Sequence, residues 1–422
     1  MAFAIQNLKT LPSTKAALIQ KRINVLAALS DNKKGLSRQF GTPAFKEASK
    51  KIREWMQESG LETREDAAKN IRGLLRSTSK NAKTFVIGSH FDTIENSGKY
   101  NGSLGILIGL EAAASLLQQK TELPFNLEVI AFSEGEGVRF HSAHFGSKAI
   151  AGMFDEQLLF LEDEKGISLK SVLSELNTDY NQISKDHLQP GDWMGYLDIH
   201  IEPGDQLREK HIPVAIASNI YGHKRIDIQF IGEAGHSGSV SMDDRKDALA
   251  AAAKFVLKVE NYASKERNGI MATIGRLKVI NAATNVIPSN VKCSLDMRSL
   301  SEDRLNAAYE EMYTICEKIC HKRGIYFEWK LLQETMPVVC DDRLNQMMED
   351  SIKEASLVPV TVISGLATEA TILRKVAPVS ILFVRDSNGV SYNPNEKVLT
   401  EDIQKAVDVT ENFIKKLAGQ KF

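Results

Sequence analysis

Two acidic residues follow an apolar segment where a buried strand is expected to end. The sequence reads AFSEGEGVRF at 131–140, directly after an apolar run that contains Leu127 and Val129. Carboxylates at the end of a buried strand are costly to desolvate unless they bind a ligand or take part in a reaction. Glu134 and Glu136 are therefore candidates for metal binding or acid–base chemistry.

Two further segments place histidine near the ends of predicted strands. GSHFDT contains His90 and Asp92, and YLDIHIEPG contains His200. A histidine steadied by a nearby carboxylate is a common arrangement in metal sites. A single histidine of this kind is more often structural, but three such segments on one chain favour a shared site.

Strands that alternate with helices predict an α/β domain that positions these residues. The β-rich runs at 84–88 and 126–132 flank GILIGLEAAASLLQQ, which has the composition of a buried helix. A mostly parallel sheet is expected, with ligands bound beyond the carboxyl ends of its strands.

Residues 212–329 have a different pattern and predict an inserted domain. Segments that alternate apolar and polar residues, such as GHKRIDIQFI, are followed by the helical segments 243–263 and 301–324. Antiparallel strands covered on one face by two helices form a compact α+β unit. The α/β domain then comprises 1–211 and 330–422.

The composition excludes several classes of partner. The chain has 422 residues and a net charge of −1, so nothing favours nucleic-acid binding. No apolar window is long enough to cross a membrane. The 4 cysteines do not form a disulfide framework, and a cytoplasmic location is expected. Cys316 and Cys320 are a possible ligand pair, although two core residues on one helical face are the simpler interpretation.

Motifs along nearly the whole chain resemble a known family. In order, they include GSHFDTIENSGKYNGSLGILIGLEA, EGVRF, DIHIEPG, GEAGHSGSVSMDDRKDAL, DMRS and GVSYNPNE. The chain resembles the amidohydrolase branch of the zinc aminoacylase and carboxypeptidase family, which includes allantoate amidohydrolase, N-carbamoyl-L-amino-acid hydrolase and β-ureidopropionase. The resemblance implies a catalytic α/β domain with two metal ions and an inserted lid domain that also forms a homodimer.

The metal positions implied by the resemblance are only partly retained. They fall on His90, Asn101, Glu136, His200 and Tyr392, where the family has His, a bridging Asp, Glu, His and His. A neutral amide and a phenol are poor substitutes for the bridging carboxylate and the last histidine. His90, His200, Asn101 and Glu136 are thus expected to hold at most one Zn²⁺, and a two-metal centre is not expected.

The family's general base is also replaced. Its position falls on Gly135 in the register fixed by Gly137, Arg139 and Phe140, and Glu134 is expected to face away. His141, His144, Tyr392 and Glu369 remain open as replacements for the lost groups. The alternative for His141 and His144 is that they are surface residues of a helix.

The positions that bind substrate in the family are retained as His236, Asn285 and Arg298. The resemblance implies that they hold a substrate carboxylate and polarise the scissile carbonyl, with the histidine reaching across the dimer. An arginine fork suits a carboxylate, and His or Asn donors suit a developing oxyanion. A surface ion pair for Arg298 and a turn role for Asn285 are the alternatives.

Three hypotheses follow for the function. In the first, the protein acts on the C–N bond of a small, amino-acid-derived amide, ureide or amidine by metal-independent or single-metal chemistry. Glu136, His236 and Asp92 would then be the acid–base groups. In the second, it is a conventional metal-dependent N-carbamoyl-amino-acid or allantoate hydrolase. In the third, it is a non-catalytic protein that binds a ligand or partner.

Overall fold

The computed structural model describes residues 14–185, 187–202, 204–265 and 269–420. The chain divides into two compact units, one that ends at Ser218 and resumes at Cys340, and one that comprises Asn219–Val339. The sequence placed these boundaries earlier, at 212 and 329. Strand Val214–Ile220, which its alternation assigned to the inserted domain, pairs with Val379–Val384 of the larger unit.

The strands of the described residues are, in chain order, β1 Glu62–Glu65, β2 Ile71–Leu75, β3 Thr84–His90, β4 Asn126–Phe132, β5 Trp193–Ile201, β6 Val214–Ile220, β7 Gly222–Ile231, β8 Gly235–His236, β9 Ile270–Val279, β10 Val286–Ile287, β11 Asn290–Ser299, β12 Tyr326–Thr335, β13 Val338–Val339, β14 Thr361–Ser364 and β15 Val379–Val384. The α-helices are α1 Lys15–Ala28, α2 Pro43–Glu58, α3 Ser103–Gln118, α4 Phe145–Ile150, α5 Leu169–Glu175, α6 Gln206–Glu209, α7 Ala248–Ala263, α8 Glu302–Lys322, α9 Asp342–Glu354, α10 Ala370–Leu373 and α11 Thr400–Ala418.

The larger unit is built on a mixed sheet with parallel central strands. Its order is β1-β2-β4-β3-β5-β15-β6, and β14 also pairs with β6. Strands β4, β3, β5 and β15 run parallel, whereas β1, β2 and β6 are antiparallel to their neighbours. The carboxyl ends of the central strands therefore meet at one edge of the sheet, as the predicted fold class requires.

Helix α3 lies directly against this sheet and is buried from Ser103 to Leu116. A side chain at Gly105 would place its Cβ 2.0 Å from the carbonyl oxygen of Ile199 on β5, so only glycine permits this approach. The close packing brings the loop before α3, which carries Asn101, to the carboxyl ends of β3 and β5.

The inserted unit is an antiparallel sheet covered by two helices. Its order is β12-β7-β11-β9, and α7 and α8 pack on it around Phe230, Phe255 and Cys316. Alternate residues of β11 are buried, which explains the period-two pattern in the sequence. All four cysteines are buried and free. The mixed α/β class with an inserted α+β unit is confirmed.

Among the described residues, no helix combines the length and apolar character needed to cross a membrane.

Candidate active site

Three segments at the carboxyl ends of adjacent strands form a buried cluster in the larger unit. His90 is the last residue of β3, Glu136 lies in the loop after β4, and His200 is near the end of β5. All three have little exposed surface, and the His90 and His200 rings lie 5.5 Å apart between centroids. The parallel pairing of β3 with both neighbours explains why residues distant in sequence meet here.

Asp92 ties the His90 loop to the Glu136 loop. Its carboxylate accepts hydrogen bonds from the backbone N–H of Gly135 at 2.7 Å and of Glu136 at 3.0 Å. His90 Nδ1 lies 3.0 Å from the carbonyl oxygen of Asp92 and 3.5 Å from its Oδ1. Both Asp92 oxygens are thus engaged, which suits a positioning role better than the acid–base role predicted from sequence.

The Glu136 carboxylate has two close neighbours, the neutral amide of Asn101 and the ring of His90. Its Oε1 accepts a 2.8 Å hydrogen bond from Asn101 Nδ2 and lies 3.6 Å from His90 Nε2. Burial raises the pKa of Glu136 and outweighs the opposing effect of His90. Burial lowers the pKa of His90. The contact with Asp92 and the charge of Glu136 outweigh burial and raise that pKa to about 10.

The two-metal centre implied by the resemblance does not fit these residues. Asn101 uses its amide N–H on Glu136, so two of the five positions bond to each other instead of facing an ion. Burial and the charge of Glu136 raise the pKa of Tyr392 well above its ordinary value, which keeps it a neutral phenol. A neutral amide at the bridging position cannot offset the repulsion between two dications as a shared carboxylate does.

Glu396 fixes the backbone of the Asn101 loop. Its Oε1 accepts hydrogen bonds from the backbone N–H of Tyr100 and, at 3.0 Å, of Asn101. Burial raises the pKa of Glu396 to about 7, against the effect of these backbone donors. The sequence analysis did not identify Glu396, although it is the last residue of the GVSYNPNE motif and the motif could have indicated it.

The position of the family's base has no room for a side chain. A Cβ at Gly135 would lie 2.5 Å from His90 Cβ and 2.7 Å from Glu369 Oε1. The preceding Glu134 has a φ of 46° and interacts with the backbone N–H of Arg139 and Phe140. Its carboxyl group is therefore engaged by the backbone of residues 139–140.

A second set of groups surrounds His200. Its Nε2 lies 3.0 Å from Ser89 Oγ, 3.1 Å from Asp198 Oδ1 and 3.7 Å from Glu369 Oε2. Burial lowers the pKa of His200. The charge of Asp198 and the contacts with Asp198 and Glu369 outweigh burial and raise that pKa to about 9. Asp198 was missed by sequence reasoning, but its position two residues before His200, on the same face of β5, was a usable signal.

Of the residues left open as replacements, Glu369 and His144 lie in this set. Glu369 is fully buried at the start of α10, and its Oε1 is 3.4 Å from His144 Nδ1. Burial raises the pKa of Glu369, but His144 and His200 outweigh it and hold that pKa well below the ordinary value. His141 is exposed.

The predicted substrate residues all lie in the inserted unit, but not together. His236 is in β8, which pairs with β10 directly after Asn285, and Ser237 N–H donates to the Asn285 carbonyl at 2.9 Å. Arg298 lies near the other end of β11, and its Nε donates to Asp296 Oδ1 at 2.8 Å. The nine residues from Asn290 to Arg298 are separated by eight steps of about 3.3 Å each, which span roughly 26 Å.

Comparisons with known proteins agree with the fold and the motifs. Residues 86–416 match the model of peptidase family M20/M25/M40. The chain belongs to this family. Among its relatives, the N-carbamoyl-L-amino acid amidohydrolase of Geobacillus stearothermophilus is 31% identical over 384 residues, covering 91% of this chain and 94% of the relative.

Other M20/M25/M40 relatives are similar over comparable lengths. Allantoate deiminase 1 of Glycine max is 31% identical over 430 residues, covering 94% of this chain and 88% of the relative. The crystal structure of AtUAH in complex with (S)-hydroxyglycine has a TM-score of 0.81 and 27% identity, covering 97% of this chain and 99% of that one. The resemblance inferred from the motifs is thereby confirmed.

Members of the M20/M25/M40 family are usually metal-dependent. Within the described part of this chain, one group of histidine and acidic residues has the spacing to hold an ion, namely Asp198, His200 and Glu369. It shares only His200 with the five positions that the resemblance implies.

Proposed function

We propose that this protein acts on the C–N bond of a small carboxylate-bearing amide, ureide or amidine derived from an amino acid, without the family's pair of metal ions. The observation that carries the proposal is the buried His90–Glu136 contact, with Asn101 donating to the same carboxylate. Burying ionisable groups is costly, and a cluster of them at adjacent strand ends is typical of a functional site. The named activities of the relatives, on N-carbamoyl amino acids and allantoate, support the substrate class.

In this proposal Glu136 is the proton acceptor. It takes a proton from a water whose oxygen bonds to the substrate's carbonyl or amidine carbon, and the C–N bond then breaks as Glu136 returns that proton to the leaving nitrogen. His90, 3.6 Å away, stabilises the ionised form of Glu136 between turnovers. Asp92 keeps both loops in position through its two backbone hydrogen bonds.

His236, Asn285 and Arg298 keep the substrate roles that the resemblance gives them. Because His236 lies in the two-stranded sheet of β8 and β10, whereas Arg298 lies near the last residue of β11 in the four-stranded sheet, we propose that a homodimer supplies them to a single ligand from two copies of the chain. The guanidinium of Arg298 already pairs with Asp296, so a bound carboxylate would share it. A cytoplasmic location is part of the same proposal.

Turnover tests the proposal directly. Metal-depleted protein is expected to release product from at least one member of a panel of allantoate, N-carbamoyl amino acids and N-acetyl amino acids. Absence of turnover across the panel, both without metal and with added Zn²⁺, would overturn the proposed activity and favour a non-catalytic binding protein.

Replacing Arg298 by alanine is expected to remove the thermal stabilisation that a panel carboxylate gives the protein. A ligand at 100 times its Kd stabilises a protein by about 2.7 kcal/mol, which is readily measured as a shift in Tm. Arg225→Ala is the matched control, because Arg225 also pairs with Asp296, at 3.0 Å from Nε to Oδ2. Equal stabilisation of wild type and Arg298→Ala would remove the case for a carboxylate contact at Arg298.

A further inference from the structure

We propose that Asp198, His200 and Glu369 bind a single divalent transition-metal ion, with Zn²⁺ as the best fit, through a ligand set that shares only His200 with the family's metal positions. The inference goes beyond the proposed function, since it concerns binding alone and is tested with no substrate present. It rests on the direction, spacing and burial of three side chains.

Two carboxylate oxygens in this cluster face His200 Nε2, which itself lies 3.0 Å from Ser89 Oγ. Asp198 Oδ1 and Glu369 Oε2 have no hydrogen-bond partner among the described residues, although they lie 3.1 Å and 3.7 Å from His200 Nε2. His200 Nε2 carries at most one proton, so it cannot donate to both carboxylates and to Ser89 Oγ. Buried oxygens of this kind are costly, and a shared cation satisfies all of them at once.

The opposite oxygen of each carboxylate is anchored by the protein. Asp198 Oδ2 accepts a 3.3 Å hydrogen bond from the backbone N–H of Ala370, and Glu369 Oε1 contacts His144 Nδ1 at 3.4 Å. Each acid therefore has one oxygen fixed and one directed toward His200. Outer contacts that orient first-shell ligands in this way are typical of metal sites.

The spacing matches tetrahedral zinc. Zinc–nitrogen and zinc–oxygen bonds of about 2.0–2.1 Å place two tetrahedral ligands about 3.3 Å apart. The two distances from His200 Nε2, 3.1 Å and 3.7 Å, bracket this value, and all three ligand atoms lie within 4.8 Å of one another. Ser89 Oγ, 3.0 Å from the same nitrogen, is a further oxygen whose hydroxyl can turn toward an ion.

Charge balance favours the same conclusion. The three side chains are between 0% and 2% exposed, and with a neutral imidazole they carry two negative charges. A bound dication neutralises both.

Zinc titration of protein dialysed against chelator, followed by calorimetry, tests the inference. Wild type is expected to bind one equivalent of Zn²⁺ and to gain thermal stability from it. Asp198→Asn and Glu369→Gln, which preserve side-chain size, are each expected to weaken binding at least about tenfold, since even second-shell changes cost 10–100-fold. Circular dichroism without zinc shows whether each variant folds.

Glu136→Gln is the matched control, because Glu136 belongs to the family's metal positions but not to this cluster. It is expected to bind zinc as wild type does. A wild type that binds no zinc, or a loss of zinc in Glu136→Gln with retention in Glu369→Gln, would overturn the proposal. Failure of catalysis alone would leave the titration unchanged, so the two proposals can fail separately.

Discussion

Glu136→Gln is expected to lower kcat by on the order of 10²–10⁴ on any panel compound that the wild type turns over. General-base catalysis by a positioned side chain contributes a factor of this size. The amide keeps the shape and can still accept the hydrogen bond from Asn101 Nδ2, which is 2.8 Å long in the wild type. The lower kcat would therefore result from the missing proton acceptor and not from a change in the shape of the pocket.

Glu134→Gln is the matched control for this prediction. Glu134 lies two residues earlier, and its carboxyl group interacts with the backbone N–H of Arg139 and Phe140. Burial and the charge of Asp92 raise its pKa well above the ordinary value, so a neutral amide resembles its native state. Steady-state kinetics should show wild-type kcat for this variant. Equal losses in both variants would contradict the assignment of Glu136 as base.

Gly135→Ala is expected to lower the free energy of unfolding by about 1–3 kcal/mol, the usual cost of overpacking a close-packed interior. The added methyl group would lie 2.5 Å from His90 Cβ and 2.7 Å from Glu369 Oε1. Neither neighbour moves easily, because His90 belongs to the central strand β3 and Glu369 is fully buried. Urea unfolding measures the change.

Gly275→Ala makes the same chemical change in an open position. A Cβ there would meet only Ser294 Oγ, at 3.8 Å, so its effect should stay within about 0.5 kcal/mol. If Gly135→Ala were as stable as this control, position 135 would have room for a side chain. The conclusion that the family's base position is closed would then be wrong.

The sequence carried enough information to predict the fold. Period-two alternation in GHKRIDIQFI and in β11 corresponds to buried alternate residues of an antiparallel sheet. The continuous apolar runs around Val129 and Ile199 correspond to parallel strands buried on both faces. The boundary predicted at 212 differs from the observed one because Val214–Ile220 has the same alternating pattern as the inserted strands. Only its pairing with β15 assigns it to the larger sheet.

The candidate site was predicted only where local motifs define it. His90, Asn101, Glu136 and His200 follow from the motifs, and the structure brings them together at adjacent strand ends. The contact of Glu369 with His200 joins residues 169 positions apart and depends on how the start of α10 meets β5. Such long-range contacts leave no periodic signal in one sequence.

The central claim is that this chain retains the pocket of an M20/M25/M40 amidohydrolase without its two-metal centre. The most direct test is the metal content of protein purified without chelator and saturated with Zn²⁺, measured by elemental analysis per chain. The account predicts no more than one equivalent, dependent on Asp198 and Glu369, because Asn101 and Tyr392 cannot support a second ion. Two equivalents per chain would contradict it.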